Sequence, residues 1–551
     1  MKQVTGPVTI CDMKMWRYLT VLLLGLSCAN ASDVFQYAVS WESKGKKRTQ
    51  TIAAYLWVPP KAERVRGLLI GGRILMEPDF VRDDVIREAC AEESLGIVYF
   101  APHFSAVFPY RDSTRAGDTM EKALKDLAVK SGMPEVATAP LCPFGHSVAS
   151  IFASRVLKWK PERCFAAITF KGGFCVGADE LEPLRGIPAL HIKGQFEEFG
   201  GGPSGVLRDF ETREASWKGS RKNLLKLRST DTDLLVGYVV ENGSTHMPWT
   251  GRLSELTADF IRGAAQLRIP DVQANGAGPV TLSKVNARDG ALLDGNIAAP
   301  GHKPAPARKY AGPATNALWY PSMKVAGAVD KMHDGIRAKQ PQFLTFQKVG
   351  GGPIWVRHDM RMGIPAHWVG PDTFKVAAMW LDKPPKKYPP IEGAVGHAWG
   401  RIRFQAYGGA LEQVKDDVFR IRHDPRATRP CVFAYHPGSR KYRYAEQPAG
   451  VGAGPAKRGS EQTISFKLPD EIGRKEFALK LKATSDSGLP VRFWVEYGPA
   501  AVEKGARLVL ADVPKRENRP IEMAIVAYQL GSHVDPKYRA AVPVRQTMRV
   551  R

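Results

Sequence analysis

The sequence predicts an α/β fold with a doubly wound, mostly parallel sheet, followed by all-β, sandwich-like domains. Short apolar runs without polar alternation, such as RGLLIGG at 66–72, are typical of strands buried on both faces of a sheet. Stretches with helical periodicity separate these runs, and parallel strands require such crossovers. From about residue 316 the helical pattern largely ends, and short strand-like segments alternate with turn residues.

The first unit is predicted at 33–268. It opens with an antiparallel hairpin within 35–59, a common addition to a mostly parallel sheet. Six buried strands are expected in the segments RGLLIGG, GIVYFAP, APLCPFG, CFAAITFKG, IPALHIKG and LLVGYVVENG. Helices are expected at 83–93, 119–132, 148–160 and 252–267.

The charge balance favours an anionic partner. The chain of 551 residues has a formal net charge of +24 and a sequence pI of about 9.7. Its Lys and Arg residues are scattered, and no nucleic-acid-binding motif accompanies them. We therefore expect an anionic polysaccharide rather than nucleic acid. The 44% of hydrophobic residues exclude a largely disordered chain.

The N-terminus has the layout of a secretory signal peptide over 1–31. A basic start is followed by an apolar run at 19–26 and a small-x-small site that ends in Ala31. Cleavage is expected after Ala31, which predicts a secreted or periplasmic protein. Cys28 raises a lipoprotein as the alternative, but Gly25 stands where a lipobox prefers an aliphatic residue. No stretch is predicted to span a membrane.

Five cysteines would remain after this cleavage: Cys90, Cys142, Cys164, Cys175 and Cys431. An exported protein can pair some of them, but the odd number leaves at least one outside any intramolecular disulfide. The sequence contains no CxxC pair, HExxH sequence, phosphate-binding loop or dinucleotide-binding glycine motif. No metal and no cofactor is therefore expected.

Three further regions follow the first unit. A connector rich in Pro, Gly and Ala is predicted at 269–315, and a β-rich domain of unknown role at 316–450. The segments SGLPVRFWV and GPAAV resemble immunoglobulin-like modules of secreted bacterial proteins. This resemblance implies a β-sandwich over 461–551 that serves as a spacer or adhesion module.

Five tryptophans of the C-terminal half are expected in its core, and stacking on sugar rings is the alternative. They are Trp319, Trp355, Trp368, Trp380 and Trp399.

One serine lies at a predicted strand-to-helix junction. The sequence GHSVA at 145–149 joins the third buried strand to the next helix. A serine on so sharp a turn projects its hydroxyl above the sheet edge, and the residues two before and two after it must be small. Gly145 and Ala149 meet that need. Taken alone, Ser147 would be an ordinary helix N-cap, so its assignment depends on the residues that follow other strands.

In this context the motif resembles the α/β-hydrolase superfamily, particularly secreted esterases of the dienelactone-hydrolase and polyhydroxybutyrate-depolymerase kind. The resemblance covers residues 33–268. It implies a nucleophile, an acid and a histidine, in that order, each on a loop after a strand. It assigns Ser147 as nucleophile, Glu197 as acid and His246 as general base.

The acid has competitors. Many relatives have a G-x-x-D turn after the corresponding strand, whereas this chain has GQFEE at 194–198. Either carboxylate can orient the imidazole and stabilise its charged form. Glu197 occupies the family position, Glu198 is the alternative acid, and Asp209 is a more distant one.

The resemblance also implies an oxyanion hole built from two backbone N–H groups. One belongs to Val148, directly after the nucleophile, and the other to Arg73, on the loop after RGLLIGG. Gly-Gly replaces the usual His-Gly at this place. The Arg73 side chain is therefore expected to be free to meet a substrate carboxylate.

Four other side chains bear on the substrate pocket. Trp249 and His103 are candidates for its wall, with packing as the alternative for Trp249 and a surface position for His103. His146 is expected to be a bystander that points away from the serine hydroxyl, and His191 a hydrogen-bonded core residue.

Together these residues predict a secreted serine esterase that hydrolyses a carboxylic ester through an acyl-enzyme. An acyl group on an anionic polysaccharide is the favoured substrate. A catalytically silent binding or adhesion protein on the same fold is one alternative, and a serine peptidase is another. The sequence predicts no oligomeric state.

Overall fold

The structure, a computed structural model, describes most of the chain. The described residues are 33–44, 49–101, 113–196, 210–271, 278–354, 363–384, 391, 393–473, 478–514 and 516–551. The predicted signal peptide at 1–31 lies outside them.

An eight-stranded sheet forms the N-terminal part of the described chain. Its strands are β1 (Tyr37–Lys44), β2 (Thr49–Trp57), β3 (Gly67–Gly72), β4 (Leu95–Ala101), β5 (Leu141–His146), β6 (Ala167–Phe170), β7 (Ala189–Gly194) and β8 (Val236–Glu241). They lie in the order β1-β2-β4-β3-β5-β6-β7-β8. The β1–β2 and β2–β4 pairs are antiparallel, and the other pairs are parallel. This sheet confirms the predicted leading hairpin and mostly parallel core, and it fits an α/β-hydrolase architecture.

Helices connect the parallel strands. They are α1 (Glu77–Arg82), α2 (Asp84–Glu92), α3 (Ser113–Ser131), α4 (Ser150–Trp159), α5 (Phe210–Thr230) and α6 (Gly251–Arg268). Every residue of β3 to β8 is buried, because helices cover both faces of the sheet. The sequence analysis missed α1, which is short, and α5, whose charged residues give it little amphipathic pattern.

The described residues after 278 contain one α-helix, α7 (Met323–Arg337), three short 3-10 helices and many short strands. The first strands of this part are β9 (Ala291–Asp294), β10 (Ala305–Pro306), β11 (Ala317–Tyr320), β12 (Leu344–Gln347), β13 (Pro353–Ile354), β14 (Gly363–Pro365), β15 (His367–Trp368), β16 (Thr373–Lys375), β17 (Ala378–Trp380), β18 (Arg403–Tyr407), β19 (Leu411–Lys415), β20 (Val418–Ile421), β21 (Cys431–His436) and β22 (Ala445–Gly452). The remaining strands are β23 (Ile464–Phe466), β24 (Glu471–Ile472), β25 (Ala478–Lys480), β26 (Ala483–Ser485), β27 (Arg492–Tyr497), β28 (Ala500–Glu503), β29 (Arg507–Leu510), β30 (Ile521–Tyr528) and β31 (Val544–Val550).

These strands form small sheets rather than one large one. The sheets are β10-β9-β11, β13-β12-β17, β14-β22-β21-β18, β15-β16-β20-β19, β23-β26, β24-β31-β30-β27 and β25-β29-β28. Their pairs are antiparallel except β14–β22 and β24–β31, which are parallel. Small, mostly antiparallel sheets are consistent with the predicted all-β part. The immunoglobulin-like module stays a prediction.

Packing continues across the boundary predicted at 268. Tyr320, at the end of β11, donates its hydroxyl to the Tyr238 carbonyl over 2.6 Å and accepts the Tyr238 N–H over 3.1 Å. His333 of α7 accepts the Val240 N–H on Nε2 over 3.1 Å. Residues from beyond 268 therefore cover the outer edge of β8, the last strand of the sheet. The domain limits remain predictions.

The apolar core also extends into the last strands of the chain. One cluster of buried residues contains the core of the eight-stranded sheet together with side chains of β23 to β31. The Gly498 N–H donates to the Phe35 carbonyl over 2.8 Å, which joins this C-terminal part to the N-terminal segment. The region predicted as a spacer or adhesion module is thus packed onto the first unit.

The five cysteines of the predicted mature chain are all described, and none forms a disulfide. Cys175 is exposed, whereas the other four are buried. Within the described ranges, no helix combines the length and apolar character that a membrane crossing needs.

Candidate active site

Ser147 lies on the turn between β5 and α4, near the centre of the eight-stranded sheet. Its φ angle is +55°, a left-handed conformation that costs a non-glycine residue about 1–3 kcal/mol. A Cβ on Gly145 would lie 2.0 Å from the Ala149 carbonyl oxygen, so only glycine fits two residues before the serine. A strained strand-to-helix turn of this kind is the geometry that exposes a nucleophilic hydroxyl.

The side chain of Ser147 has no capping role. The N-cap residue of α4 is Ala149, and no side chain caps this helix. Ser150 stabilises the turn instead: its hydroxyl donates to the Ser147 carbonyl over 2.5 Å and accepts the Gly173 N–H over 2.9 Å. Among the described residues, the Ser147 hydroxyl has no hydrogen-bond partner, so the elbow leaves it available for chemistry.

The loop after β8 brings His246 against His146, the residue that precedes Ser147. The centroids of the His246 and His146 rings lie 4.7 Å apart, and both rings are buried. His146 Nε2 donates a hydrogen bond to the His246 carbonyl oxygen over 2.8 Å, which places a proton on that nitrogen. His146 is therefore not a bystander, because its side chain supports the loop that carries His246.

Several predicted residues lie outside the described chain: Glu197, Glu198, Asp209 and His103. The end of β7 nevertheless lies beside the His246 loop. The Phe196 N–H donates to the Ser244 carbonyl over 2.9 Å, and Gln195 Oε1 accepts the Gly243 N–H over 2.8 Å. Phe196, the last described residue before Glu197, therefore lies next to the loop that carries His246.

Of the two predicted oxyanion donors, the structure is compatible with Val148 only. Its N–H lies in the first turn after the elbow, where N–H groups lack intrahelical acceptors and the helix dipole is positive. The structure does not support Arg73. Its N–H donates to the Phe100 carbonyl over 2.9 Å, because the β3–β4 ladder continues by one residue. Its guanidinium donates to the carbonyl oxygens of Pro425 and Ala427, so it faces the C-terminal half rather than a substrate.

Glu77, in the first turn of α1, joins the loop after β3 to the nucleophile elbow. Its Oε2 accepts the N–H groups of Ile74 over 3.0 Å and Leu75 over 2.7 Å, and its Oε1 accepts the His146 N–H over 2.8 Å. Burial raises the pKa of Glu77 to about 7, although these backbone donors favour the carboxylate. The sequence analysis missed Glu77, because acidic residues are common at any helix start.

Lys171 supports the His246 loop from the sheet side. It follows β6 with a φ of +46°, and its side chain is fully buried. Its Nζ donates to Ser244 Oγ over 2.8 Å and to the Pro248 carbonyl over 2.9 Å, and it lies 3.1 Å from Glu241 Oε2. Burial alone would raise the pKa of Glu241, but the attraction of Lys171 and Arg252 outweighs it and lowers that pKa. The sequence analysis did not identify Lys171. Its position directly after an apolar strand is the feature of the sequence that could have pointed to it.

Trp249 does not line a pocket. Its indole is buried, donates its N–H to Asp83 Oδ2 over 2.7 Å and packs edge-on against Phe80. The packing alternative is therefore the one that the structure supports. His191 is a buried core residue, as expected, with Nδ1 hydrogen-bonded to the Thr169 hydroxyl over 2.6 Å.

The tryptophans of the C-terminal half have different surroundings. Trp319 is fully buried, and Trp368 and Trp380 are half-buried and stack on histidine rings. Trp399 is 98% exposed, so the expectation of a core position is wrong for it. Trp355 lies outside the described residues.

Comparison with known proteins finds similarity in structure only. No family model matches the chain, and no curated protein matches its sequence. Est1E from Butyrivibrio proteoclasticus is similar over 40% of this chain and 96% of its own, with 11% identity and a TM-score of 0.26. The S-formylglutathione hydrolase of Staphylococcus aureus covers 42% of this chain and 98% of its own, with 9% identity and a TM-score of 0.28. The Pyrobaculum calidifontis esterase covers 46% of this chain and 91% of its own, with 13% identity and a TM-score of 0.27.

Proposed function

We propose that this chain is a serine hydrolase that cleaves carboxylic esters, with Ser147 as nucleophile and His246 as general base. The observation that carries the proposal is the strained Ser147 elbow near the centre of the sheet. A left-handed non-glycine residue persists only where the surrounding structure imposes it, and such strain is concentrated at functional turns. The hydrogen bond from His146, the neighbour of Ser147 in sequence, to the His246 carbonyl supports the choice of His246 as the base.

The proposed reaction has two steps. His246 takes the proton of the Ser147 hydroxyl as its oxygen attacks the ester carbonyl, and the Val148 N–H stabilises the oxyanion. The C–O bond to the alcohol breaks, the alkoxide takes the proton from His246, and an acyl-enzyme remains. Water then loses a proton to His246 and attacks the acyl carbon, which releases the acid and restores the serine hydroxyl.

The acid that orients His246 is proposed to be Glu197, with Glu198 as the alternative. The contact between Phe196 and Ser244 supports either choice, because Phe196 immediately precedes the acidic pair in the sequence. A carboxylate in that position would hold the imidazole tautomer and stabilise its charged form.

The proposed substrate is an acyl ester on an anionic polysaccharide outside the cytoplasm. The formal net charge of +24 supports an anionic polymer, since a positive surface potential raises its local concentration.

The experiment is labelling with a fluorophosphonate probe, together with hydrolysis of a short-chain aryl ester and of an acetylated acidic polysaccharide. Ser147→Ala should abolish labelling and both hydrolyses. Ser229→Ala, which removes an exposed serine on α5, is the matched control and should behave like the unchanged protein. Normal labelling of Ser147→Ala would disprove the nucleophile, and hydrolysis of the aryl ester alone would disprove the polysaccharide.

The same assay assigns the acid. Glu197→Gln is expected to lose more of kcat than Glu198→Gln, because only the orienting carboxylate stabilises the charged imidazole. The reverse order would move the role to Glu198.

A further inference from the structure

The loop that carries His246 is bonded to the C-terminal half of the chain as well as to the sheet. Glu446, on β22, is 7% exposed and places Oε1 against this loop. That oxygen accepts the Thr245 N–H over 2.6 Å, the Thr245 hydroxyl over 2.8 Å and the Ser244 hydroxyl over 3.1 Å. Three donors from two consecutive residues therefore converge on one buried carboxylate oxygen, directly before His246.

The second oxygen of Glu446 is also bonded. Oε2 accepts the Tyr444 hydroxyl over 2.6 Å, so the carboxylate has a fixed orientation. The Arg252 guanidinium lies 3.6 Å from the centroid of the Tyr444 ring. A Cβ on Gly243 would lie 1.9 Å from the Tyr444 carbonyl oxygen, which shows how closely this segment packs on the loop.

Ser244 connects this contact to the sheet. Its hydroxyl accepts from Lys171 Nζ over 2.8 Å and donates to Glu446 over 3.1 Å, so both a basic and an acidic group are bonded to it. Lys171 is in turn paired with Glu241 at the end of β8. A buried network of this kind is stabilising only when each of its members is bonded, and here each group has a partner.

Met247, the residue after His246, makes an apolar contact with the C-terminal part of the chain. Met247 packs against a small cluster of buried side chains from β18 and β21, namely Tyr407, Cys431 and Phe433. The His246 loop is thus enclosed between the eight-stranded sheet and the β14-β22-β21-β18 sheet.

From these contacts we infer that Glu446 is a positioning residue for His246, and that the C-terminal half completes the catalytic site. The inference rests on the proposed function. Glu446 fixes the backbone immediately before the histidine, and His146 fixes the carbonyl of the histidine itself. The ring of a general base must be held within a fraction of an ångström of its productive position, so both anchors bear on the rate.

The test compares Glu446→Ala and Glu446→Gln in the full chain. The alanine variant removes every bond to the loop, whereas glutamine keeps an oxygen that can accept from Thr245. Asn518→Ala is the matched control. It removes the 2.7 Å bond from the Asn518 side chain to the Val129 carbonyl, another contact between the two halves, away from the His246 loop.

For Glu446→Ala we expect kcat for the aryl ester to fall about tenfold to a hundredfold with KM unchanged, and fluorophosphonate labelling to slow by the same factor. Glutamine should restore most of both rates, and the Asn518→Ala control should retain them. If Glu446→Ala does not fold, Thr245→Val, which removes only the hydroxyl bond to Glu446, should lower kcat severalfold without changing KM.

The inference is overturned if folded Glu446→Ala and Thr245→Val both keep the kcat and labelling rate of the unchanged protein, even at a lower melting temperature. If the fluorophosphonate does not label even the unchanged protein, the result would instead contradict the proposed function. The two failures are therefore distinguishable.

Discussion

The backbone of Ser147 is strained, and the proposed chemistry depends on this conformation. Its φ of +55° turns the backbone sharply enough for the hydroxyl to leave the plane of the sheet. The turn is possible only because Gly145 lacks a side chain where the Ala149 carbonyl approaches. Local sequence therefore permits this turn, through Gly145 before the serine and the small Ala149 after it.

Gly145→Ala is expected to open the elbow. The added Cβ would lie 2.0 Å from a backbone oxygen, so the strand and helix must separate, which lowers the free energy of unfolding by about 1–3 kcal/mol. Ester hydrolysis should fall by more than about tenfold, since the nucleophile moves with the turn. Urea denaturation and kcat measure the two effects.

Gly219→Ala is the control for this substitution. Gly219 lies on α5, and a Cβ there would meet no atom of the described residues within 4 Å. It should raise the free energy of unfolding by about 0.5–1 kcal/mol, because alanine is the better helix residue. Equal stability of the two alanine variants would contradict the steric argument at Gly145.

Arg73 shows what a family pattern alone does not determine at the residue scale. The residue occupies the expected loop, but the Phe100 carbonyl takes its N–H and the Pro425 carbonyl one of its guanidinium N–H groups. Glu77 takes the next two N–H groups of that loop. Phe100 and Pro425 lie far from Arg73 in the sequence, so no local pattern predicts these two contacts.

At the scale of elements, β8 forms one edge of the parallel sheet and is nevertheless buried. An open edge leaves backbone N–H groups without acceptors. At β8 these groups are taken by side chains: the Tyr320 hydroxyl accepts from Tyr238 N and His333 Nε2 from Val240 N. β11 and α7 therefore cover this edge of the sheet, although the sequence analysis placed both in a separate β-rich domain at 316–450.

The substitution His333→Leu, measured at pH 8, tests whether α7 stabilises the edge of the sheet at β8. The substitution leaves the buried Val240 N–H without its acceptor, which should lower the free energy of unfolding by about 1–3 kcal/mol. His367→Leu, at an exposed position, is the control and should leave stability unchanged. Urea denaturation provides the measurement, and equal stability of the two variants would contradict the role of His333.

The unchanged protein and His333→Leu should also differ in how their stability depends on pH. Burial lowers the pKa of His333 to about 3, from 6.5 in the unfolded chain. As the pH falls from 6.5 towards 3, the unfolded state binds a proton that the folded state does not, so the unchanged protein loses stability. His333→Leu lacks this loss. The difference in the free energy of unfolding between the unchanged protein and His333→Leu should therefore become smaller as the pH falls. A difference that does not change with pH would contradict a buried, neutral His333.

On the scale of the whole molecule, the last strands of the chain share a core with the eight-stranded sheet. Buried side chains of β23 to β31 belong to the same apolar cluster as the parallel strands. Asp33, at the start of the described chain, lies 2.7 Å from Arg82 of α1 and 2.6 Å from Arg422 of the C-terminal half. The C-terminal half is therefore part of the fold of the first unit.

A fragment of residues 33–271 is expected not to fold as the full chain does. It keeps the eight strands but loses the cover of β8 and the apolar residues contributed by β23 to β31. Loss of that buried area should abolish a cooperative urea transition and the near-ultraviolet circular dichroism of packed aromatic residues. A cooperative transition with the spectrum of packed aromatics would show that this unit is self-sufficient.

The strands, the main helices and their order were predictable, because burial on both faces or on one face imposes a local period on the sequence. The polar α5 and the short α1 were not, since neither carries such a period. At the site, the Ser147 elbow followed from local sequence. The supporting roles of His146, Glu77 and Lys171 did not, because each is defined by a partner on another element.

By itself, the sequence determined the alternating α/β pattern, the strand-to-helix elbow and the placing of His246 after the last buried strand. Only the tertiary structure decided which N–H groups are already bonded, what covers β8, and that Glu446 holds the His246 loop. The physical reason is the distance along the chain over which each interaction acts. Hydrophobic periodicity and steric limits act between neighbours along the chain, whereas buried polar groups are satisfied by whichever donors and acceptors folding brings within hydrogen-bond distance.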